Sequence, residues 1–337
     1  MRPLLAGLEK LYAVGVRARN ARFDRQAPKS LRWPVISVGN LSVGGSGKTP
    51  LVILLAQLLA AAGWTPDVLS RGYGRHGSTV ERVEPGGPAN RFGDEPLMIA
   101  QAGIPVFVAS SRYQAGLLAE RTLVAGSSHV HLLDDGFQHR ELARKVDVVA
   151  IHRCDVDDRL LPAGRLREPL AGLRRADAIV VREDDGSLLP RLMPYARPGA
   201  CFWQIRRKLL LDGDWPEKPV SAIAFCAIAR PEEFFQMLEG RGIRLAGKIT
   251  FRDHHRYTTS DVESLRELGA RNRVAAFLTT EKDAVKLDAG LLQALGAPLR
   301  VARLALEFAG QTAVMQQLVA MLDGADSTRA AVIPPIR

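Results

Sequence analysis

A glycine-rich run after an apolar segment holds the residues best suited to chemistry in this chain. Residues 35–50 read VISVGNLSVGGSGKTP. Glycines let the backbone curl so that several N–H groups point at phosphate oxygens, and the dipole of a following helix favours the same anion. Lys48 would then reach the outer phosphates, and the hydroxyl of Thr49 would bind Mg²⁺. The run predicts a phosphate-binding loop with contacts from Gly44, Gly45, Ser46, Gly47, Lys48 and Thr49.

One position departs from the usual pattern of such loops. Ser42 stands five residues before Gly47, where the pattern has glycine, so the start of the loop is expected to curl differently. The alternative is a glycine-rich turn with a solvated lysine. The apolar strand before the run and the long apolar helix after it, over 51–62, favour the phosphate loop and therefore a protein that uses a nucleotide.

Two carboxylates follow another apolar segment. Asp134 and Asp135 come after the run HVHLL, where we predict a strand. Ligands of doubly wound sheets bind at the carboxyl ends of strands, so the pair is expected to face the phosphate loop. It would hold Mg²⁺ together with Thr49, directly or through water, and a simple turn is the alternative. His129 and His131 share one face of this strand and are interpreted as structural.

Several other polar groups admit two interpretations. Asp94 precedes an apolar helix and either caps it or accepts a proton from a substrate hydroxyl, and this stretch alone favours the cap. His254 and His255 are surface residues or orient a carboxylate in a cleft. Arginines on two loops either clamp an anionic substrate or are solvated. These loop residues are Arg71, Arg75, Arg165 and Arg167, with Glu168 after the last.

Composition restricts the class of protein and its partners. The chain has 337 residues, of which 47% are hydrophobic and 24% charged, as in a soluble protein with room for two domains. Three separated cysteines predict neither a disulfide framework nor a zinc site. The formal charge of +10 favours nucleic acid, a phosphorylated metabolite or an anionic membrane surface as partner. Aromatic and basic residues do not interleave, so we expect no nucleic-acid partner.

The first thirty residues predict a basic helix with an apolar stripe. The stripe consists of Leu4, Leu5, Leu8, Leu11, Tyr12 and Val16. Such a helix lies in a membrane interface or packs its stripe on the protein's own core, and the residues leave both readings open. Charge interrupts the stripe, which does not fit a secretory signal. The uncharged run 50–66 is too short to span a bilayer, so membrane contact is expected to be peripheral.

Apolar strands alternate with helical stretches over residues 35–181, which predicts an α/β fold with a parallel sheet and helices on both faces. The predicted strands lie at 35–38, 67–70, 106–109, 130–133, 146–151 and 178–181. Beyond residue 194 the pattern indicates a smaller α/β domain between two linking strands. The predicted divisions are a helical region over 1–30, a phosphate-loop core over 31–201, the smaller domain with its linker strands over 202–308, a last helix over 309–323 and a mobile tail over 324–337.

Seven segments, in this order and at these separations, closely resemble one protein family. They read GNLSVGGSGKTP, SRGYGR, GDEP, DDGFQHR, LLPAGRLREP, FRDHH and TEKDAVK. The family is the tetraacyldisaccharide 4'-kinases, the lipid A 4'-kinases of Gram-negative envelopes, and the match spans roughly residues 2 to 290. It implies phosphorylation of the 4'-hydroxyl of the lipid A disaccharide 1-phosphate precursor by Mg-ATP, and a peripheral location on the cytoplasmic face of the inner membrane. It also implies two α/β/α domains joined by a two-stranded linker.

The resemblance changes the interpretation of individual residues. Asp94 matches the family's catalytic carboxylate and His254 the imidazole paired with it, so the role of base now outweighs the cap. Asp134 and Asp135 match the metal-binding carboxylates. The expected substrate contacts are Arg71, Arg75, Gln138, Arg167 and Glu168. The basic N-terminal helix matches a helix that contacts the membrane.

One segment departs from the family. Residues 226–231 read CAIARP where the family has a glycine-rich turn. The resemblance therefore does not imply that the backbone of this loop contacts a ligand.

Two other classes of protein also use phosphate loops. A switch GTPase or ATPase, or a metallochaperone, is disfavoured because the run TEKD at 280–283 lacks the spacing of a guanine-specificity motif and because metal-ligand clusters are absent. The positive charge is the only one of these features that fits a nucleic-acid-dependent ATPase.

Overall fold

The computed structural model describes residues 2–44, 47–124, 128–213 and 221–324. Within these ranges the chain forms one sheet of 12 strands with helices on both faces. The strands are β1 (Val35–Asn40), β2 (Trp64–Ser70), β3 (Glu81–Arg82), β4 (Val106–Val108), β5 (Ser128–Asp134), β6 (Val146–Ala150), β7 (Ala178–Arg182), β8 (Cys201–Leu211), β9 (Ser221–Cys226), β10 (Arg244–Thr250), β11 (Ala276–Thr280) and β12 (Leu299–Phe308). The α/β fold class predicted from the sequence is confirmed.

The helices alternate with these strands along the chain. They are α1 (Arg2–Arg25), α2 (Lys48–Ala61), α3 (Ala89–Phe92), α4 (Asp94–Gln101), α5 (Arg112–Thr122), α6 (Arg153–Val156), α7 (Leu189–Leu192), α8 (Pro231–Gly240), α9 (Thr259–Asn272), α10 (Glu281–Ala284), α11 (Ala289–Ala294) and α12 (Gln311–Asp323). Short 3₁₀ helices cover Leu170–Arg175, Glu183–Leu188 and Met193–Tyr195.

The strands lie side by side in the order β10-β9-β11-β12-β8-β7-β6-β1-β5-β2-β4-β3. Neighbours are parallel except at two places, the β3/β4 pair at one edge and the long β8/β12 pair near the middle. In that central pair Leu211 lies opposite Ala302 and Ile205 opposite Phe308. We call residues 2–200 the first lobe, residues 221–298 the second lobe, and β8 and β12 the linker strands. The linker strands are the predicted two-stranded connection between the parallel parts.

The predicted strands over 35–181 all form, with bounds that differ by a few residues. Strand β10 was not predicted, because its alternate exposed positions and its glycine give it the polar composition of an edge strand. Helix α2 begins at Lys48 rather than at Leu51. The predicted boundaries at 201 and 308 fall at the first residue of β8 and the last residue of β12, and the division into domains stays a prediction. All of the predicted mobile tail except Gly324 lies outside the described residues.

The core of the first lobe packs on both faces of β1, whose six residues are all buried. Leu51 and Leu55 of α2 pack on one face with Ile36, and helix α12 adds Leu318 to the same cluster. Each fully buried leucine contributes about 1.5–3 kcal/mol, so the apolar length of α2 holds the phosphate loop against the sheet. The predicted last helix therefore packs on the first lobe.

Helix α1 packs on the first lobe through its polar side. The hydroxyl of Tyr12 donates to the carbonyl oxygen of Arg167 at 3.2 Å, and Asn20 Nδ2 donates to Glu168 Oε2 at 3.0 Å. Val16 is buried. The predicted stripe is therefore divided, since Leu8 (42%) and Leu11 (68%) are exposed, and so is Val14 (59%), which is not part of the stripe.

A glycine in β1 allows a close approach that a larger residue would prevent. A Cβ on Gly39 would lie 2.6 Å from Phe137 Cβ and 2.8 Å from the backbone nitrogen of Phe137. We expect Gly39→Ala to lower the free energy of unfolding by about 1–3 kcal/mol, because the overpacked strand pushes away the segment that carries Asp134 and Asp135. Urea denaturation measures this. Gly86→Ala is the control, since nothing lies within 4 Å of its Cβ position; an equal loss in both variants would contradict the steric account.

Candidate active site

A cavity of about 770 Å³ lies between the two lobes and against the linker strands. The first lobe contributes the phosphate loop, the end of β5 and the chain after β6 and β7. The second lobe contributes the chain after β9, the segment around His254 and the first turn of α10. Carboxyl ends of parallel strands from both lobes therefore open into one space, which is where ligands bind in sheets of this kind.

The phosphate loop joins β1 to α2 at the edge of this cavity. Gly44 and Gly47 have φ angles of 99° and 76°, a left-handed region that favours glycine. Lys48 Nζ lies 3.2 Å from Asn40 Oδ1 and 3.5 Å from Asp135 Oδ1. Thr49 is buried and also lines the cavity. The predicted contacts Gly45 and Ser46 lie outside the described residues.

Ser42 occupies its position without strain. Its φ angle is not in the left-handed region, it forms an isolated bridge with Leu166, and its hydroxyl accepts a hydrogen bond from Asn40 Nδ2 at 3.2 Å. Glycine is therefore not required here. The fold accommodates the departure from the usual loop pattern through this side chain.

Asp134 and Asp135 have opposite electrostatic surroundings. Burial, with the nearby charges of Glu95 and Asp135, raises the pKa of Asp134 to about 7. Its Oδ1 atom is buried and makes no hydrogen bond within the described residues. Burial opposes ionisation of Asp135 too, but Lys48 and Arg167 outweigh it and lower the pKa of Asp135. A buried carboxylate oxygen without a donor fits a cation, whereas the Asp135 carboxylate already pairs with Arg167 at 2.9 Å.

Asp94 is the first residue of α4, but it does not cap that helix. The N-cap position belongs to Gly93, and no side chain caps the helix. The carboxylate instead crosses to the second lobe, where Asp94 Oδ2 lies 3.2 Å from His254 Nδ1 and 3.7 Å from Lys286 Nζ. The cap interpretation is therefore wrong. His255 points elsewhere and pairs with Asp261 at 2.9 Å, so His254 is the histidine that meets Asp94.

The predicted substrate contacts fall into two groups. Arg71, Gln138 and Arg167 line the cavity. Arg75 does not line it; its guanidinium is 4% exposed and lies 3.5 Å from Glu81. Glu168 does not line it either, because its buried carboxylate accepts hydrogen bonds from side chains of α1 and of the 3₁₀ helix at 170–175. The substrate roles of Arg75 and Glu168 stay predictions. The observed contacts of both residues are with neighbouring segments of the first lobe.

Sequence reasoning missed several residues that line the cavity or contact the predicted site residues. Asn40 contacts both Lys48 and Ser42, and no motif marked it. Lys282 and Lys286 lie within the quoted segment TEKDAVK, and their spacing of four residues could have placed both on one face of a helix. His139 is kept neutral, because burial and nearby arginines lower its pKa to about 4. Such groups are brought into the site only by folding.

A cluster of charges joins the lobes at the far side of the cavity. Glu233 of α8 lies 2.9 Å from His152 Nε2, 2.6 Å from Arg207 Nη1 and 3.3 Å from Arg182 Nη1, and Arg230 is 3.7 Å away. The loop before α8 also meets the phosphate loop, since a Cβ on Gly44 would lie 3.3 Å from the Cβ of residue 229. The segment that departs from the family pattern therefore does line the cavity.

This cluster makes stability depend on pH. The hydrogen bond with His152, followed by that from Arg207, lowers the pKa of Glu233 below its usual 4.5. An acid whose pKa is lowered on folding adds stability above pH 4.5, and this is lost as the pH falls below 4.5. We expect Glu233→Gln to lower the free energy of unfolding by about 1–2 kcal/mol at neutral pH, with the difference shrinking toward about pH 3.5. Urea titrations of both proteins check this; a difference independent of pH would contradict it, and the exposed Glu263→Gln is the control.

Known proteins match this chain over most of its length. The family model described as tetraacyldisaccharide-1-P 4'-kinase matches residues 1–323. The tetraacyldisaccharide 4'-kinase of Koribacter versatilis is 41% identical over 326 residues, which cover 94% of this chain and 98% of that protein. The one from Chromobacterium violaceum is 39% identical and covers 84% and 83%.

A solved structure shares the fold across almost the whole chain. The crystal structure of LpxK from Aquifex aeolicus in complex with ATP aligns with a TM-score of 0.75 and 30% identity, over 95% of this chain and 99% of that one. The family model and these relatives cover both lobes, so the resemblance seen in the seven sequence segments is confirmed. The chain belongs to the tetraacyldisaccharide-1-phosphate 4'-kinase family.

Proposed function

We propose that this protein transfers the γ-phosphoryl group of ATP to the 4'-hydroxyl of a tetraacyldisaccharide 1-phosphate, a step in the biosynthesis of lipid A. The observation that carries the proposal is that His254, which lies 3.2 Å from Asp94 Oδ2, shares the walls of one cavity with the phosphate loop. Phosphoryl transfer requires positioning and charge stabilisation, together with a carboxylate near the attacking hydroxyl.

The first lobe holds the triphosphate. Backbone N–H groups of the phosphate loop and the N-terminus of α2 point toward the phosphates, and Lys48 neutralises their outer charge. Its ammonium lies 3.2 Å from Asn40 Oδ1 and 3.5 Å from Asp135 Oδ1. The lysine is therefore already oriented into the cavity when ATP enters, and little reorganisation is needed.

Thr49, Asp134 and Asp135 are the groups that would hold Mg²⁺. The donor set is hard oxygen, which Mg²⁺ prefers, and the unpaired Oδ1 of Asp134 suits a cation. The described residues contain no group of three or more His, Cys, Asp or Glu side chains placed to hold a metal, so most ligands would be phosphate and water oxygens. When bound, the ion would neutralise charge on the phosphates. Asp135 would exchange its contact with Lys48 for one with the ion or its water.

Asp94 accepts the proton of the attacking hydroxyl, and His254 orients it from the second lobe. Arg71, Gln138 and Arg167 line the same cavity as His254 and the phosphate loop, and they would offer donors to an anionic sugar substrate. Arg75 and Glu168 would act indirectly, by supporting the loops that carry Arg71 and Arg167. Residues of both lobes would thus complete the site.

The membrane would be contacted by α1. None of the described helices is both long and apolar enough to cross a bilayer. The exposed Leu8, Leu11 and Val14 lie among basic residues of the same helix, and Tyr12 ties this helix to the active-site loop at Arg167. An apolar patch among cations binds an anionic lipid interface. We propose peripheral binding at the cytoplasmic face of the inner membrane.

The triple variant Leu8→Glu, Leu11→Glu and Val14→Glu is expected to bind vesicles that contain anionic lipid at least about tenfold more weakly, because apolar area and positive charge are both lost. Sedimentation with vesicles measures the bound fraction. Leu292→Glu on α11, at an equally exposed leucine, is the control. Binding equal to that of the unaltered protein would reject the role of α1.

A switch GTPase or metallochaperone is the alternative that the phosphate loop leaves. Asp283, the acidic residue of the run at 280–283, is buried and accepts hydrogen bonds from Ala227 N and Thr280. It is therefore occupied by the second lobe rather than free to read a guanine. The experiment measures the rate of ATP consumption with each candidate stimulus added. We expect the lipid disaccharide 1-phosphate to raise this rate. A rate raised by polynucleotide, or by neither compound, would contradict the proposal.

A further inference from the structure

The imidazole of His254 lies between an anion and a cation. Its Nδ1 atom is 3.2 Å from Asp94 Oδ2, and its Nε2 atom is 3.1 Å from the ammonium nitrogen of Lys282. The ring is held from the side by Tyr73, whose centroid is 5.0 Å away in an edge-on contact. Both nitrogens are therefore in contact with charged groups of opposite sign.

The contact with Lys282 decides which nitrogen of His254 carries the proton. A lysine ammonium has three donors and no acceptor. Nε2 must therefore accept with its lone pair, and a neutral imidazole then has its hydrogen on Nδ1. A doubly protonated ring would set an N–H group against the ammonium, a repulsion of like charges. The hydrogen on Nδ1 then points at Asp94 Oδ2, which accepts it.

The surroundings keep Lys282 in its charged form. Its ammonium lies 3.4 Å from Glu95 Oε1 and 3.6 Å from Asp253 Oδ1. Burial opposes the charge, but Glu95, Asp253 and Asp94 outweigh it and raise the pKa of Lys282. Among the described residues, the titratable and charged groups that contact His254 are Tyr73, Asp94, Lys282 and Asp253, whose Oδ1 atom lies 4.0 Å from Nε2. Glu95 and Lys286 lie one contact further away, on Lys282 and on Asp94.

We infer that Lys282 is a positioning residue that fixes the proton of His254 on Nδ1, so that the imidazole donates to Oδ2 of an ionised Asp94. Lys286 approaches the same oxygen at 3.7 Å. Oδ1 of Asp94 is then the atom that accepts the proton of the attacking hydroxyl. The inference rests on the proposed roles of Asp94 and His254, and it adds that the second lobe supplies the group that sets the tautomer.

The test is the tautomer of His254 in the full-length protein, read from long-range ¹H–¹⁵N spectra and assigned with His254→Gln. We expect the Nδ1–H tautomer in the unaltered protein and in Lys282→Arg, which also offers only donors. In Lys282→Met we expect a shift toward Nε2–H, with kcat at least about tenfold lower and the Kd for ATP nearly unchanged. Lys248→Met, at an exposed lysine of β10, is the matched control.

Nε2–H in the unaltered protein would overturn the inference, and so would Lys282→Met with an unchanged tautomer. A shifted tautomer with unchanged kcat would overturn the positioning role. The spectrum is recorded without substrate, so it does not depend on the proposed reaction. If the Nδ1–H tautomer is found but His254→Gln retains full turnover, the proposed catalytic role fails while the assignment of the proton stands.

Discussion

Asp94→Asn is expected to lower kcat for transfer to the lipid disaccharide by about 10²–10⁴-fold, with the Kd for ATP changed little. Asparagine keeps the size of the side chain and can still accept a hydrogen bond from His254, but it cannot take the proton of the attacking hydroxyl. Steady-state kinetics with both substrates varied separates the two constants. Asp157→Asn, at an exposed carboxylate in a surface ion pair with Arg191, is expected to leave both unchanged.

A double variant tests whether the two lobes act together at this point. If Asp94 and His254 work as a unit, Asp94→Asn with His254→Gln should lower kcat about as much as Asp94→Asn alone. Two losses that multiply would mean that the residues act independently. If Asp94→Asn had the same kcat as the unaltered protein, the carboxylate of Asp94 would be excluded as the base.

Lys48→Met is expected to lower kcat/KM by about 10²–10³-fold and to weaken ATP binding as well. The ammonium lies between Asn40 and Asp135 at the start of α2, where the proposed reaction places the charge of the outer phosphates. Unlike Asp94→Asn, this change therefore affects both the binding of nucleotide and the transfer step. Nucleotide titration by calorimetry and kinetics with the lipid check the two effects.

The control for Lys48→Met is Lys208→Met, at an exposed lysine of β8 that pairs with Glu307. Thermal unfolding shows whether either variant is less stable. The account is contradicted if Lys48→Met transfers phosphate at the rate of the unaltered protein, or if Lys208→Met fails equally.

Local patterns predicted the parts of the site that lie on single elements. The glycine run, the apolar helix after it and the carboxylates after β5 are each written within about sixteen consecutive residues, and their strand-loop-helix context follows from periodicity. The architecture followed from the same alternation. In the linker strands too, the residue pattern was sufficient, because each is a run of ten or eleven residues without glycine or proline.

Contacts between distant segments could not be predicted in this way. The assignment of Asp94 is an example, because a carboxylate at a helix N-terminus is explained locally as a cap, and only a residue 160 positions away gives it another partner. Lys282 and Glu233 likewise acquire their contacts with Glu95 and His152 from the packing of one lobe against the other. Edge strand β10 was missed because every second residue is exposed to solvent, so its sequence contains no continuous apolar run.

The central claim is that the phosphate loop and Asp94 carry out phosphoryl transfer to a sugar hydroxyl. Its most direct test is the product formed from γ-labelled ATP and the lipid disaccharide 1-phosphate in detergent micelles, analysed for label and for the position of the new phosphate. The account predicts a bisphosphorylated lipid labelled at the 4' position that is lost in Lys48→Met and in Asp94→Asn. Release of labelled inorganic phosphate without any labelled lipid would contradict it.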